Sequence, residues 1–305
     1  MAETSAGGII DATKAPGAAV TMVKNDHFFL RRWLAYYGGL LGRENLYVLS
    51  HGNDPEIREI AAGANVINVP YDATRTKFDR RRWELLSNFT NGLLRYHNWV
   101  ICGDVDEVVL VDPLVAPDLL TYLNGLPRRQ VPQVACPLGL EIIHNPDLEP
   151  EPLEDGATVL SRRRLFRLNA NYSKPCITRV PLMFSPGGHS CSINKRGVDP
   201  NLYLIHMRFV SHDITLARLE SRRQMKVQEA ETTEGKPRRS IWERDAESFL
   251  KLSKLEPVAE TVDFAEFRTR MVEEKREVTP GGHWFFGGGR SKELYRLPER
   301  FTGLV

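Results

Sequence analysis

Between Ala18 and Cys102 short apolar runs alternate with segments of helical periodicity, and this alternation restricts the possible folds more than any other feature of the chain. The runs are Ala18 to Val23, Leu46 to Leu49, Asn65 to Val69 and Trp99 to Cys102. Between the first two, Phe28, Phe29, Trp33, Leu34, Tyr37 and Leu41 recur at the spacing of one helix face, and Gly38-Gly39 is expected to weaken or end that helix. A second helix is predicted from Pro55 to Ala62, with proline in its first turn. A third is predicted from Asp79 to Tyr96, its buried stripe being Trp83, Leu86, Phe89, Leu93 and Leu94. Strands that alternate with helices in this way form βαβ units and a largely parallel sheet. The continuously apolar Trp99-Val100-Ile101-Cys102 reads as a strand covered on both faces.

The pattern then changes. The acidic, proline-rich segment Asn145 to Gly156 is expected to be an irregular surface loop. Around it lie β-like runs at Leu138 to Ile143, Leu165 to Leu168, Ile177 to Phe184 and Leu202 to Ile205. Residues 214–276 are highly charged and helical in pattern, and Gly281-Gly282-His283-Trp284-Phe285-Phe286-Gly287-Gly288-Gly289 follows. That last segment is either a lid with aromatic stacking surface or an apolar plug that buries Trp284. The reading gives a disordered leader over 1–16, a main α/β domain over 17–212 and a helical extension over 213–305. No internal repeat is present.

Composition excludes several classes. With 41 Lys+Arg against 39 Asp+Glu, the formal charge is +2, far from the cationic surplus that general nucleic-acid binding needs. The 4 cysteines form no C-x-x-C pair, which suits a reducing compartment and gives no zinc signature. No apolar stretch approaches the roughly 20 residues of a membrane span, and the small, polar N-terminus lacks a signal-peptide pattern. A cytoplasmic location is expected.

Gly103 and then Asp104-Val105-Asp106-Glu107 stand at the end of the apolar strand Trp99 to Cys102. Ligands of open α/β sheets bind outside the carboxyl ends of strands. In extended backbone, side chains at i and i+2 share a face, so Asp104 and Asp106 are expected to point at one site and hold Mn²⁺ or Mg²⁺. The bland reading is that these acids cap a turn. An EF-hand is excluded, since Val108 to Val111 are apolar and the loop glycine is missing. A haloacid-dehalogenase-like phosphatase also places D-x-D after an apolar strand, but as the first strand of its fold and not the fourth.

Val23-Lys24-Asn25-Asp26, Leu30, Trp33-Leu34-x-Tyr36-Tyr37 and Trp99-Val100-x-x-x-Asp104-Val105-Asp106-Glu107 together resemble bacterial glycosyltransferases of the family 2-like group, which have the GT-A fold. Lys174-Pro175, Gly187-Gly188-His189 and Ile205-His206-Met207-Arg208 resemble the second half of that group. The resemblance covers roughly residues 18–215. It implies a Rossmann-like mixed sheet and a metal-dependent transfer of sugar from a nucleotide-sugar donor, a UDP- or GDP-sugar, to a glycan or lipid-linked acceptor. Association with the inner face of a membrane is compatible with the basic clusters.

By this resemblance, Asp104 and Asp106 contact the ribose and the metal-bound diphosphate, with Asp106 as the direct ligand and His206 or His189 completing the metal site. Lys24, Lys174, Lys195, Arg196 and Arg208 are the candidate cations for the diphosphate. Arg80 to Arg82 and Arg162 to Arg164 are expected to be solvated. His51 stands where relatives carry a base-contacting Asp. Asp54 either takes that contact or caps the helix that starts at Pro55. For an inverting transfer the candidate base is Glu141, with His144 and the acids of 147–155 behind it. The alternatives are the phosphatase and a non-catalytic glycan-binding or scaffold protein.

Overall fold

The first apolar run folds as strand β1, Ala15–Val23, whose last seven residues are all buried. It starts three residues earlier than the pattern indicates. The computed structural model describes residues 10–71, 78–127, 130–154, 156–193, 196–220, 241–259, 263–274, 276–277, 284–287 and 289–305. The expected leader over 1–16 therefore falls mostly outside the described residues.

Helix α1, His27–Leu41, buries Phe29, Leu30, Trp33, Leu34, Tyr37 and Leu41, as the periodicity requires. It runs through Gly38-Gly39 and stops at Gly42, which has φ of 81° and donates its N–H to the Gly38 carbonyl. Each interior glycine costs about 1 kcal/mol relative to alanine. Burial of Trp33, Tyr37 and Leu41 offsets this, at roughly 1.5–3 kcal/mol per large apolar side chain.

Next come β2 (Leu46–His51), α2 (Pro55–Ile60), β3 (Asn65–Val69), α3 (Phe78–Leu93) and β4 (His97–Cys102). Strands β1, β2, β3 and β4 are mutually parallel in the order β4-β1-β2-β3. The chain steps outward from β1 in one direction to β2 and β3, then places β4 on the other side of β1. That reversal creates a crevice at the carboxyl ends of β1 and β4. Strand β5, Glu107–Val111, follows the D-x-D segment, and β6 covers Val134–Ile143.

Three later runs differ from their predicted extent, β6 by starting at Val134 and not at Leu138. Of Ile177 to Phe184, only β8, Ile177–Thr178, is a strand; β7 is Leu165–Leu168 as expected. Thr178 Oγ1 donates to the Val180 carbonyl at 2.7 Å, and Pro181 has no N–H to give a ladder. Conversely, β9 spans Val198–Phe209, so His206 lies inside a strand and not at its end.

The chain divides into two units that interleave along the sequence. The first comprises Met1–Gly139, Asn169–Ile205 and Phe264–Gly289. Its sheet carries β4, β1, β2 and β3, with β8 antiparallel to β4 and the first half of β6 antiparallel to β8. The second comprises Leu140–Leu168, His206–Asp263 and Arg290–Val305. Within it the second half of β6 pairs antiparallel with β7, and β7 pairs antiparallel with the strand Leu294–Arg296. Its core is Ile143, Phe209, Phe249, Leu252 and Leu294.

Helices Ile241–Leu252 and Phe264–Glu273 form part of the C-terminal third. The protein is thus a mixed α/β fold with a multi-stranded sheet and C-terminal helices, in a Rossmann-like architecture. No described helix is long and apolar enough to cross a membrane.

Candidate functional site

Asp104 to Glu107 form a turn, not a continuation of β4. Glu107 donates its backbone N–H to the Asp104 carbonyl at 3.1 Å, and β5 begins at Glu107. Aspartate is favoured at the first position of such turns, which is why the extended geometry expected from i, i+2 spacing gives way here. The Glu107 side chain folds back, and its Oε2 accepts the Asp104 N–H at 3.3 Å. A Cβ on Gly103 would stand 3.3 Å from that oxygen, a tight fit for any other residue.

Two cations meet the turn. The Lys174 ammonium is 2.8 Å from Asp104 Oδ2 and 2.6 Å from Glu107 Oε1, with its side chain almost wholly buried. Arg82, from α3, donates to Asp104 Oδ1. Burial alone would raise the Asp104 pKa, but the charges of Arg82 and Lys174 outweigh it and hold the carboxyl far below its ordinary range. Burial likewise opposes the charge on Lys174, and Asp104 with Glu107 reverses that, so its pKa is raised. Asp79, in the first turn of α3, has its pKa raised by burial, against the opposing charge of Arg82.

Arg82 corrects the expectation that Arg80 to Arg82 are all solvated. It precedes Leu86 by four residues and so borders the stripe of α3 that buries Trp83, Leu86, Ser87, Thr90 and Leu93. Arg80 does behave as a surface residue, pairing with Glu84 at 2.8 Å. Arg163 is a second correction: it is buried and donates to the Val210 carbonyl at 2.9 Å.

Lys24, His51 and Asp54 stand at or just beyond the carboxyl ends of β1 and β2. Lys24 Nζ sits 3.6 Å from the centre of the Tyr71 ring, and buried His51 stacks on Phe78 at 4.8 Å. Asp54 is the N-cap of α2, accepting the Glu56 N–H at 2.9 Å, and also meets His27 Nε2 at 2.8 Å. Burial would raise its pKa, but the His27 and backbone hydrogen bonds lower it on balance.

His189 follows Gly187 and Gly188, both at positive φ. Its Nδ1 is 2.7 Å from the Asn171 carbonyl, which can only accept, so Nδ1 carries the proton. Lys195 and the residues 281–283 and 288 lie outside the described residues, as does the side chain of Trp284. Phe286 is buried, and the Gly287 N–H donates to the Met271 carbonyl at 3.0 Å.

Glu141, His206 and Arg208 belong to the second unit. Glu141 is 1% exposed and its Oε2 lies 2.5 Å from Arg167, with His206 Nδ1 at 3.5 Å from Oε1. Burial would raise the Glu141 pKa; the His206 hydrogen bond and the Arg167 charge instead bring it down to about 2. A sealed carboxylate held this ionised is a weak proton acceptor, and its geometry is that of a cross-strand ion pair between β6 and β7. The sequence-based choice of Glu141 as base therefore does not match its surroundings. Arg208 lies over the Phe209 ring at 4.8 Å.

For a divalent ion, the donor set reduces to few groups. Both Asp104 oxygens meet cations, and Asp106 is buried in the same turn. One carboxylate, with phosphate oxygens and water in the other positions, fits the way Mg²⁺ is commonly held at diphosphates. Among the described residues no group of three or more His, Cys, Asp or Glu is arranged to hold a metal alone. The four cysteines are buried and unpaired with one another.

The fold and the charged turn define a Rossmann-like α/β protein with a strand-end carboxylate site. No protein-family model matches the chain, and no curated protein is significantly similar to it.

Proposed function

We propose that the chain is a GT-A glycosyltransferase that moves a sugar from a UDP- or GDP-sugar to a hydroxyl of a glycan or lipid-linked acceptor. One observation carries the reading. The Asp104-to-Glu107 turn stands at the carboxyl end of β4, beside the point where strand order reverses, with two basic side chains, Arg82 and Lys174, bound into it. In this reading Asp106 holds Mn²⁺ or Mg²⁺, which stabilises the charge that grows on the departing nucleoside diphosphate. Arg82 and Lys174 fix the Asp104 carboxylate in place and lend positive potential to the same diphosphate. Lys24, with Tyr71, His51 and Phe78, borders the nucleoside end of the crevice. A cytoplasmic enzyme docking on the inner face of a membrane agrees with a lipid-linked acceptor.

A second reading has one specific support. Lys174 lies 2.8 Å from Asp104, as a cation beside the nucleophilic aspartate of a haloacid-dehalogenase-like phosphatase would. Against it, Arg82 takes the other Asp104 oxygen, and β4 is the fourth strand in sequence.

Thermal shift of the full chain with UDP, GDP and other nucleoside diphosphates, with and without Mn²⁺, separates the readings. Metal-dependent stabilisation by one nucleotide, lost in Asp106→Asn, supports the transferase. Hydrolysis of p-nitrophenyl phosphate without any nucleotide binding overturns it in favour of the phosphatase.

A further inference from the structure

The two cations on Asp104 are held differently. Lys174 keeps 2% of its side chain exposed and bridges Asp104 Oδ2 and Glu107 Oε1, so it is locked between two carboxylates. Arg82 keeps 16% exposed and meets Oδ1 of Asp104, whose own side chain keeps 24%. A ligand arriving from solvent therefore encounters the Arg82–Asp104 pair before the Lys174 ammonium. Another acid facing Arg82 is Asp79, three residues earlier and on the same side of α3. Burial disfavours the charge on Asp79, which makes it the weaker partner.

An exchange at this pair has to satisfy both charges. A bare divalent cation would take Asp104 but leave the guanidinium beside a dication. A bare diphosphate would take Arg82 but set its own charge against Asp104, Asp106 and Glu107. Leaving one member of a partly buried pair uncompensated is costly in either case. A diphosphate that carries a divalent cation supplies an anion for Arg82 and a cation for Asp104 together, and a guanidinium fits phosphate oxygens with two parallel N–H donors as well as it fits a carboxylate.

From this geometry we infer that Arg82 is an exchangeable latch on the site: its guanidinium passes from Asp104 to the diphosphate, and Asp104 Oδ1 turns to the cation that the diphosphate brings. The inference rests on the transferase reading and names how that site is kept closed to either component alone. Lys174 stays with Asp104 Oδ2 and Glu107 throughout and holds the turn in shape. Arg82 is thus a positioning residue in the free chain and a ligand contact in the loaded one.

The test follows Mn²⁺ by the loss of its free EPR signal, on the full chain and on Arg82→Met and Arg82→Gln, with and without UDP or GDP. Without nucleotide, both variants should bind Mn²⁺ about tenfold more tightly than the unaltered chain, because Asp104 Oδ1 no longer carries a cation. With Mn²⁺ present, both should bind the nucleotide about tenfold more weakly. Removing a residue that only supports the turn would weaken both ligands together. Equal or weaker Mn²⁺ binding in the variants therefore overturns the inference, and the transferase reading survives it if a nucleotide still binds the unaltered chain.

A second measurement leaves Arg82 in place. Its guanidinium lies 5.2 Å from the Trp83 ring centre, so its departure should shift the tryptophan emission when Mn²⁺ and nucleotide are added together, and Trp83→Phe should lose that shift. Emission unchanged by a nucleotide that does bind with Mn²⁺ overturns the inference. If no nucleotide binds the unaltered chain, the transferase reading fails, while tighter Mn²⁺ binding in the variants would still uphold Arg82 as the cation that competes for Asp104.

Discussion

Each unit contains a carboxylate clamped by two basic side chains, yet the two clusters are built for different ends. In the first, Asp104 is held by Arg82 and Lys174 on a turn and keeps 24% of its side chain exposed. In the second, Glu141 is held by Arg167 and His206 on adjacent strands and keeps 1%. The pairing is alike and the exposure is not. A clamped carboxylate that still reaches solvent can exchange partners with a ligand, whereas a sealed one fastens two strands. Ion pairing by itself therefore identifies nothing; the open edge does.

The comparison breaks most directly at Glu141. Replacing it with Ala leaves Arg167 buried without its anion, and urea denaturation should show a loss of about 3–5 kcal/mol. Nucleotide-dependent stabilisation of whatever remains folded should survive, since the residue belongs to the second unit.

Acid should also act first on the second unit. His144 has its pKa lowered to about 4, chiefly by burial and then by Arg163. Its Nδ1 accepts the His212 N–H at 2.9 Å, and Nε2 meets the Glu149 carbonyl at 3.1 Å, an arrangement of the neutral ring. A histidine with a lowered folded-state pKa takes up its proton more readily once unfolded. Stability from this group is complete above about pH 6.5 and falls, by roughly 3 kcal/mol, as the pH drops to about 4. His144→Gln should flatten that part of the pH–stability curve; an unchanged slope would show that another group sets it.

At Asp104 the order of effects reverses. Asp104→Asn keeps the turn and some hydrogen bonding, so its stability loss should be about 1–2 kcal/mol. It should nonetheless abolish nucleotide-dependent thermal stabilisation. The smallest change concerns Asp54. Because it caps α2, Asp54→Ala should cost about 1 kcal/mol, read by urea denaturation, and leave the nucleotide shift intact. Loss of that shift would restore Asp54 as a ligand contact.

Local signals made the βαβ half of the chain readable. Apolar runs fixed β1 to β4, and the stripe from Phe29 to Leu41 was strong enough to carry α1 across two glycines. The D-x-D position was legible because it directly follows a buried strand. Its geometry was not, because a turn at Asp104 changes which side chains share a face. Arg82 was hidden in a basic triplet, though its spacing from Leu86 gives it away. Glu107 was visible as a third acid, but its pairing with Lys174 joins residues far apart in sequence, which periodicity cannot report. His206 and Glu141 each looked available when read along one strand, and only the cross-strand partner shows them committed.

The interleaving of the units bears on how the polypeptide is made. While it emerges from the ribosome, β1 to β4 can pair from neighbouring segments, so the parallel sheet has what it needs early. The Phe264–Gly289 segment arrives only after most of the second unit has been synthesised. A nascent chain halted before residue 264 would carry the Asp104 turn but lack Phe285 beside His189. The order of translation thus supplies the Asp104 turn well before the segment that brings Phe285 to His189.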